Sequence, residues 1–180
     1  MSVDWKVEIV ECGDIIQDED ETVPQDEAER RWNRYVELAD SVTGDEGPEA
    51  VVPIVSSLRA EDDYGAYQAA YRALQRFPLG DLGKGVAWAA DELTRIPYDQ
   101  SGDVLLIVAR LPAAAAEAFN QEIKSVPGDV RSRLRDVVDF HEANEWLAED
   151  EDKGVIKVPH EQGMVQSIGI FLLKGFNWIT

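Results

Sequence analysis

The 180-residue chain carries 36 acidic against 17 basic residues, a formal charge of −19. A surface of that sign repels nucleic acid and anionic membranes and speeds encounter with a basic partner; solubility, or adaptation to salt, is the bland account of the same charge. The length suits one domain over 1–180 with a sizeable core. The single Cys12 excludes an internal disulfide and any multi-cysteine metal site. With no charged-then-apolar leader, and no apolar run near the roughly 18 residues of a membrane span, a cytoplasmic protein is expected.

In residues 1–24, Val3, Trp5, Val7 and Ile9 alternate with polar residues, which predicts a short strand or an extended arm lying on helices. Asp18-Glu19-Asp20-Glu21 reads as a solvated acidic loop, closed by Pro24. A first helix is predicted from Gln25 to Val42, with Ala28, Trp32, Tyr35, Val36 and Ala39 on one face and Trp32 in the core. Residues 43–48 form a turn cluster, and Pro48 after Gly47 suits a helical first turn.

Two short helices follow. Val51, Ile54, Val55 and Leu58 fall at i, i+3, i+4 and i+7, and Pro53 predicts a kink or late start. Glu61-Asp62-Asp63 breaks the pattern and supplies capping carboxylates. Tyr67, Ala70, Tyr71, Leu74 and Phe77 make the second stripe, stopped by Pro78. Pro53-Ile54-Val55 with Leu58, then Asp62-Asp63, then Ala69-Ala70 with Ala73-Leu74, resembles a HEAT repeat. Tyr67-Gln68 stands where that family usually has a valine-arginine pair.

The three glycines of Gly80-Asp81-Leu82-Gly83-Lys84-Gly85 lack the spacing and preceding strand of a phosphate loop, and the negative field opposes anions, so a plain helix–helix turn is expected. From Gly85 to Ile96 the stripe is Val86, Ala89, Ala90, Leu93 and Ile96. Trp88 then shares the outward face with Asp91, Glu92 and Arg95: either a hot spot for a basic partner or a ring covered by a neighbouring element. Val104 to Leu111, after Ser101-Gly102-Asp103, is apolar nearly all round and marks the most enclosed helix, with a buried strand over Val104 to Val108 as the alternative. Ala113 to Ile123 is its expected partner, with alanines permitting close contact. Phe77-Pro78, Ile96-Pro97, Leu111-Pro112 and Val126-Pro127 each end a segment, alternate members lying 34 and 30 residues apart. Such periods point to stacked hairpins over 25–148, an irregular HEAT-like α-solenoid.

A helix from Gly128 to Ala148 is expected to cap the array, with Val130, Leu134, Val137, Val138 and His141 buried and Trp146 opposite them, near Arg135, Asp139, Glu142 and Glu149. His141 reads as a hydrogen-bonded core histidine. Glu149-Asp150-Glu151-Asp152 reads as a disordered acidic linker. Within 149–180, the apolar residues from Val155 to Ile179 read either as two strands joined around Pro159 to Gly163 or as a tail packing on the last helix. The fold class is therefore mainly α, with the N-terminal arm and the apolar tail as its irregular ends.

Nothing in the pattern converges on catalysis. His141 and His160 lie 19 residues apart in unlike contexts, and no serine elbow, second cysteine or helical metal-ligand pair occurs. Glu142 and Glu145, at i and i+3, occupy a solvated helix face. Neither an enzyme nor a cofactor is expected. A small, acidic, cysteine-poor helical-repeat chain resembles the immunity proteins encoded beside bacterial polymorphic or contact-dependent toxins. The resemblance implies an antitoxin that blocks the basic cleft of a cognate toxin, often a nuclease. Candidate contacts are Glu61, Asp62, Asp63, Tyr64, Trp88, Asp91, Glu92, Glu142, Glu145 and Trp146. A HEAT-like scaffold for a cellular protein and a DNA mimic are the competing expectations.

Overall fold

Proline, with φ fixed and no N–H to donate, sits comfortably just ahead of a helix. In the structure, a computed structural model describing residues 4–17, 20 and 22–159, Pro24, Pro78, Pro97 and Pro127 are all extended N-cap residues. The described elements are α1 (Trp5–Cys12), α2 (Gln25–Ser41), α3 (Val51–Ser56), α4 (Tyr67–Leu74), α5 (Leu79–Trp88), α6 (Ala90–Leu93), α7 (Tyr98–Arg110), α8 (Ala114–Glu122) and α9 (Gly128–Asn144). A 3-10 turn, Pro48–Ala50, leads into α3, so Pro53 falls in the first α-helical turn, where no N–H is needed. Helical structure therefore begins ahead of Pro53, without the late start expected there.

The N-terminal strand or extended arm is not what forms. Residues 5–12 are helical, capped by Asp4, whose carboxylate accepts from the Lys6 amide. Trp5, Ile9 and Cys12, at i, i+4 and i+7, turn inward while Val7 stands exposed. The alternation around Val7 misled because the same residues also fit a helical period. Arg34 of α2 holds Glu8 through two bonds of 2.7 and 2.8 Å, fixing α1 on α2. This bidentate pair keeps the Glu8 carboxyl below its ordinary range.

The glycine cluster is not a turn either. Gly80, Gly83 and Gly85 lie within α5, and the turn precedes Pro78. A Cβ on Gly83 would sit 2.1 Å from the Ala115 carbonyl oxygen, and one on Gly85 would sit 2.4 Å from that of Pro48. These glycines let α5 pack backbone to backbone on α8 and on the turn before α3. The alanine-rich α8 thus takes α5 as its main partner, more than the α7 expected from sequence order. The stripe from Val86 to Ile96 is buried as predicted, but α5 and α6 are separate helices broken at Ala89 (ψ 12°). α7 begins at Tyr98 and includes Ser101-Gly102-Asp103; it is a helix and not a strand.

One continuous core runs from Ile9 to Ile156. Within it the Tyr35 hydroxyl meets Ser57 Oγ at 2.9 Å, and Tyr67 donates to the Gly13 carbonyl at 2.7 Å while accepting from the Ala60 amide at 2.8 Å. The 149–152 run is no loose linker. Asp152 is 2% exposed and accepts from Arg110 Nη2 at 2.9 Å, while Asn120 pins Val155 and Lys157 onto α8. Residues 149–159 form turns, with Ile156 buried and no strand among them. The remainder of the apolar tail, His160 and most of the 18–21 acidic run lie outside the described residues.

Candidate partner-binding surface

The Glu61–Tyr64 segment bridges α3 and α4. Its position comes from side-chain bonds to its backbone: the buried Gln100 of α7 donates to the Ala60 and Glu61 carbonyls, and Gln17 donates to the Asp62 carbonyl at 2.9 Å. Asp63 is a capping residue as predicted, accepting from the Gly65 and Tyr67 amides. Its carboxylate is committed to the fold, whereas those of Glu61 and Asp62 are exposed and form no ion pair among the described residues. Tyr64 is held at φ 47° and is 47% exposed. With Trp32, Ile15 and Ile16 it lines a groove of about 300 Å³. Trp32 is therefore half-buried at an edge of the core, facing a recess.

Trp88 is 44% exposed, and its Nε1 donates to Glu122 of α8 at 2.9 Å. The face predicted for it assumed one continuous helix; the break at Ala89 sends Asp91 and Glu92 elsewhere. Asp91 pairs with Arg95 and with Arg133 of α9, and Glu92 pairs with Arg95. Both carboxylates are thus engaged in ion pairs, sharing Arg95.

Trp146 departs most from its expected place. α9 stops at Asn144, and Glu145 takes φ −144° and ψ −113°, so the chain turns and lays the Trp146 indole over Gly102. A Cβ there would meet the ring at 1.8 Å. The indole Nε1 is buried without a hydrogen-bond partner among the described residues. Trp146 shares a recess with Asp99, Leu106, Arg110, Glu145 and Glu149, while Arg135, Asp139 and Glu142 line a different one. Glu142 accepts from the Gly154 amide at 2.8 Å, and the Glu145 side chain is exposed and forms no ion pair among the described residues.

Beneath this end of the molecule His141 is fully buried, its Nε2 3.4 Å from Ser101 Oγ and its Nδ1 without a hydrogen-bond partner among the described residues. The exposed rings of Tyr98 and Phe140, 4.8 Å apart, pack edge-on against it. Burial holds its pKa below the ordinary value, partly offset by Glu145, Asp99 and the Tyr98 carbonyl. The unfolded chain therefore binds a proton near pH 6.5 that the folded chain refuses until lower pH. Stability is expected to fall as pH drops below 6.5, by at most about 1.4 kcal/mol per pH unit until the folded pKa is passed. Urea titrations between pH 7 and 5 check this: His141→Gln should flatten the slope, and an unchanged slope would contradict it.

Periodicity placed Glu149 near Trp146 but did not single out Asp99, Leu106 and Arg110, which line that recess with them. The available signal was Pro97: treated as a helix start like Pro48, it puts Asp99, Asp103, Leu106 and Arg110 on one side of α7 at i, i+4, i+7 and i+11. Among the described residues no cluster of histidine, cysteine or carboxylate is placed to hold a metal ion, and no helix is long and apolar enough to cross a membrane. No family model, curated protein or solved structure matches the chain.

Proposed function

We propose that this chain is a non-catalytic binding protein, an immunity protein that neutralises a basic toxin domain by seating an acidic surface in its active-site cleft. The observation that carries the reading is the mismatch of charge on the described surface. Ion pairs engage Glu8, Glu27, Glu37, Asp40, Asp91, Glu92, Asp129 and Asp152, leaving most of the 36 acidic residues without a cationic partner there. Like charges in such excess work against a compact state, and a basic partner relieves the repulsion.

The mechanism is steric and electrostatic. Uncommitted carboxylates at Glu61, Asp62, Glu145 and Glu149 accelerate encounter with a cationic cleft by about 10- to 1,000-fold at low salt. Retention comes from apolar and aromatic groups that lose water on docking. We further read the helices as a short, irregular HEAT-like array, its turns marked by Pro78, Pro97 and Pro127, acting in the cytoplasm. The α5–α8 pairing across two intervening helices is its irregularity.

Co-expression with the product of the adjacent upstream open reading frame tests the reading. The expected result is a toxic neighbour, survival when this chain is present, and a complex that weakens steeply between low and moderate salt. A harmless neighbour, with no complex recovered at low salt, overturns it.

A further inference from the structure

The outer side of α7 carries two recesses, of about 480 and 250 Å³, that share Leu106 and Arg110. Together they form one groove running from Gln75, at the end of α4, to Trp146 and Glu149 beyond α9. Leu106 and Ile107 of α7, and Leu111 just after it, are only partly buried along it, whereas Val104, Leu105 and Val108 are buried. Its one cation, Arg110, is matched by the buried Asp152 carboxylate through bonds of 2.9 to 3.3 Å. Asp99, Glu145 and Glu149 have no such match among the described residues. The groove thus combines an apolar floor with a net negative rim.

Building on the proposed function, we infer that this α7 groove is where the basic partner docks, by an amphipathic segment whose apolar side chains rest on Leu106 and Ile107 while flanking lysines or arginines face Asp99, Glu145 and Glu149. Two recesses sharing a wall suit successive side chains of one segment better than a single compact ligand. A second copy of this chain would bring its own excess of carboxylates against the same rim, and nucleic acid would bring phosphates; both are disfavoured by like charge. The groove also explains why α7, apolar in sequence, is not enclosed on all sides.

The test uses the full chain and a synthetic helical peptide with leucines at i, i+3, i+4 and i+7 flanked by lysines. A peptide of the same composition with the leucines dispersed serves as control, as does one with glutamate in place of lysine. Affinity is read by fluorescence anisotropy and the site by amide chemical-shift mapping. The leucine–lysine peptide is expected to shift residues of α7 and 145–149 and to bind at least tenfold more tightly than either control. Leu106→Ser with Ile107→Ser should weaken it about tenfold, with the far-UV circular dichroism unchanged. Glu145→Gln with Glu149→Gln should reduce the salt dependence, and this variant carries the test should the first fail to fold. Equal binding of the dispersed peptide, or no binding at low salt, overturns the assignment. Shifts confined to the Tyr64–Trp32 groove also overturn it, yet leave the basic-partner reading standing, since that reading is decided separately by the co-expression experiment.

Discussion

Gly83→Ala is expected to destabilise the protein by about 3 kcal/mol, the upper part of the usual range for forcing an atom into a packed interior. The direction opposes helix propensity, by which alanine in a helix is favoured over glycine by about 1 kcal/mol. The added Cβ would lie 2.1 Å from the Ala115 carbonyl oxygen, 2.8 Å from the Phe119 nitrogen and 2.9 Å from the Ala118 Cβ. Two of these three are backbone atoms of α8, so no rotamer change relieves the overlap. The helices must separate, exposing Leu82, Val86 and Phe119, all fully buried. Gly80, three residues earlier in α5, is the matched control: a Cβ there meets nothing within 4 Å. Gly80→Ala should stabilise slightly, by up to about 1 kcal/mol. Urea denaturation of both variants checks the pair of signs. A Gly83→Ala protein as stable as the parent would mean that α5 and α8 are not in backbone contact.

The second large effect is expected on the other side of the same interface. Phe119 is among the largest fully buried side chains, and Phe119→Ala should cost about 3–5 kcal/mol, combining lost transfer energy with a cavity that rigid neighbours cannot close. The midpoint of urea unfolding should fall with little change in slope. Truncating Phe119 should not rescue Gly83→Ala, because the atoms that obstruct Gly83 belong to the α8 backbone and to Ala118, not to the phenyl ring. A domain of ordinary stability, about 5–15 kcal/mol, retains little with both changes. Recovery of a folded double variant would place the obstruction in the Phe119 side chain after all.

Both predictions concern a contact that sequence periodicity does not reveal. A glycine cluster is a turn signal when only local conformational freedom is weighed, and it becomes a helix-packing device when another backbone must approach. Which of the two applies depends on α8, some thirty residues away. Trp146 shows the same dependence. Continued helical phase places it opposite His141, but α9 ends at Asn144 and the indole covers Gly102, again a glycine whose missing side chain makes room.

The helical class, the limits of α2 to within a residue, the start of α4 and the inward faces of α4 and α9 follow from the sequence alone. Tyr35, Tyr67, Leu74, Leu134 and His141 are buried where the 3.6-residue period puts them. It also determined the charge that motivates the proposed partner. These properties are local or additive: apolar spacing, proline geometry and a count of carboxylates need no knowledge of distant residues. Tertiary structure decided which carboxylates remain available. Asp91 and Asp152 look alike in sequence to Glu61, Asp62 and Glu149, but Asp91 meets Arg133 of α9 and Asp152 meets Arg110 of α7, and the other three meet no arginine among the described residues. It likewise decided that Leu106 and Ile107 stay partly open, because the chain leaving α9 covers Gly102 and not the full width of α7. An ion pair between distant residues, or an apolar groove, requires two segments to meet, and their meeting is set by the packing of the whole chain.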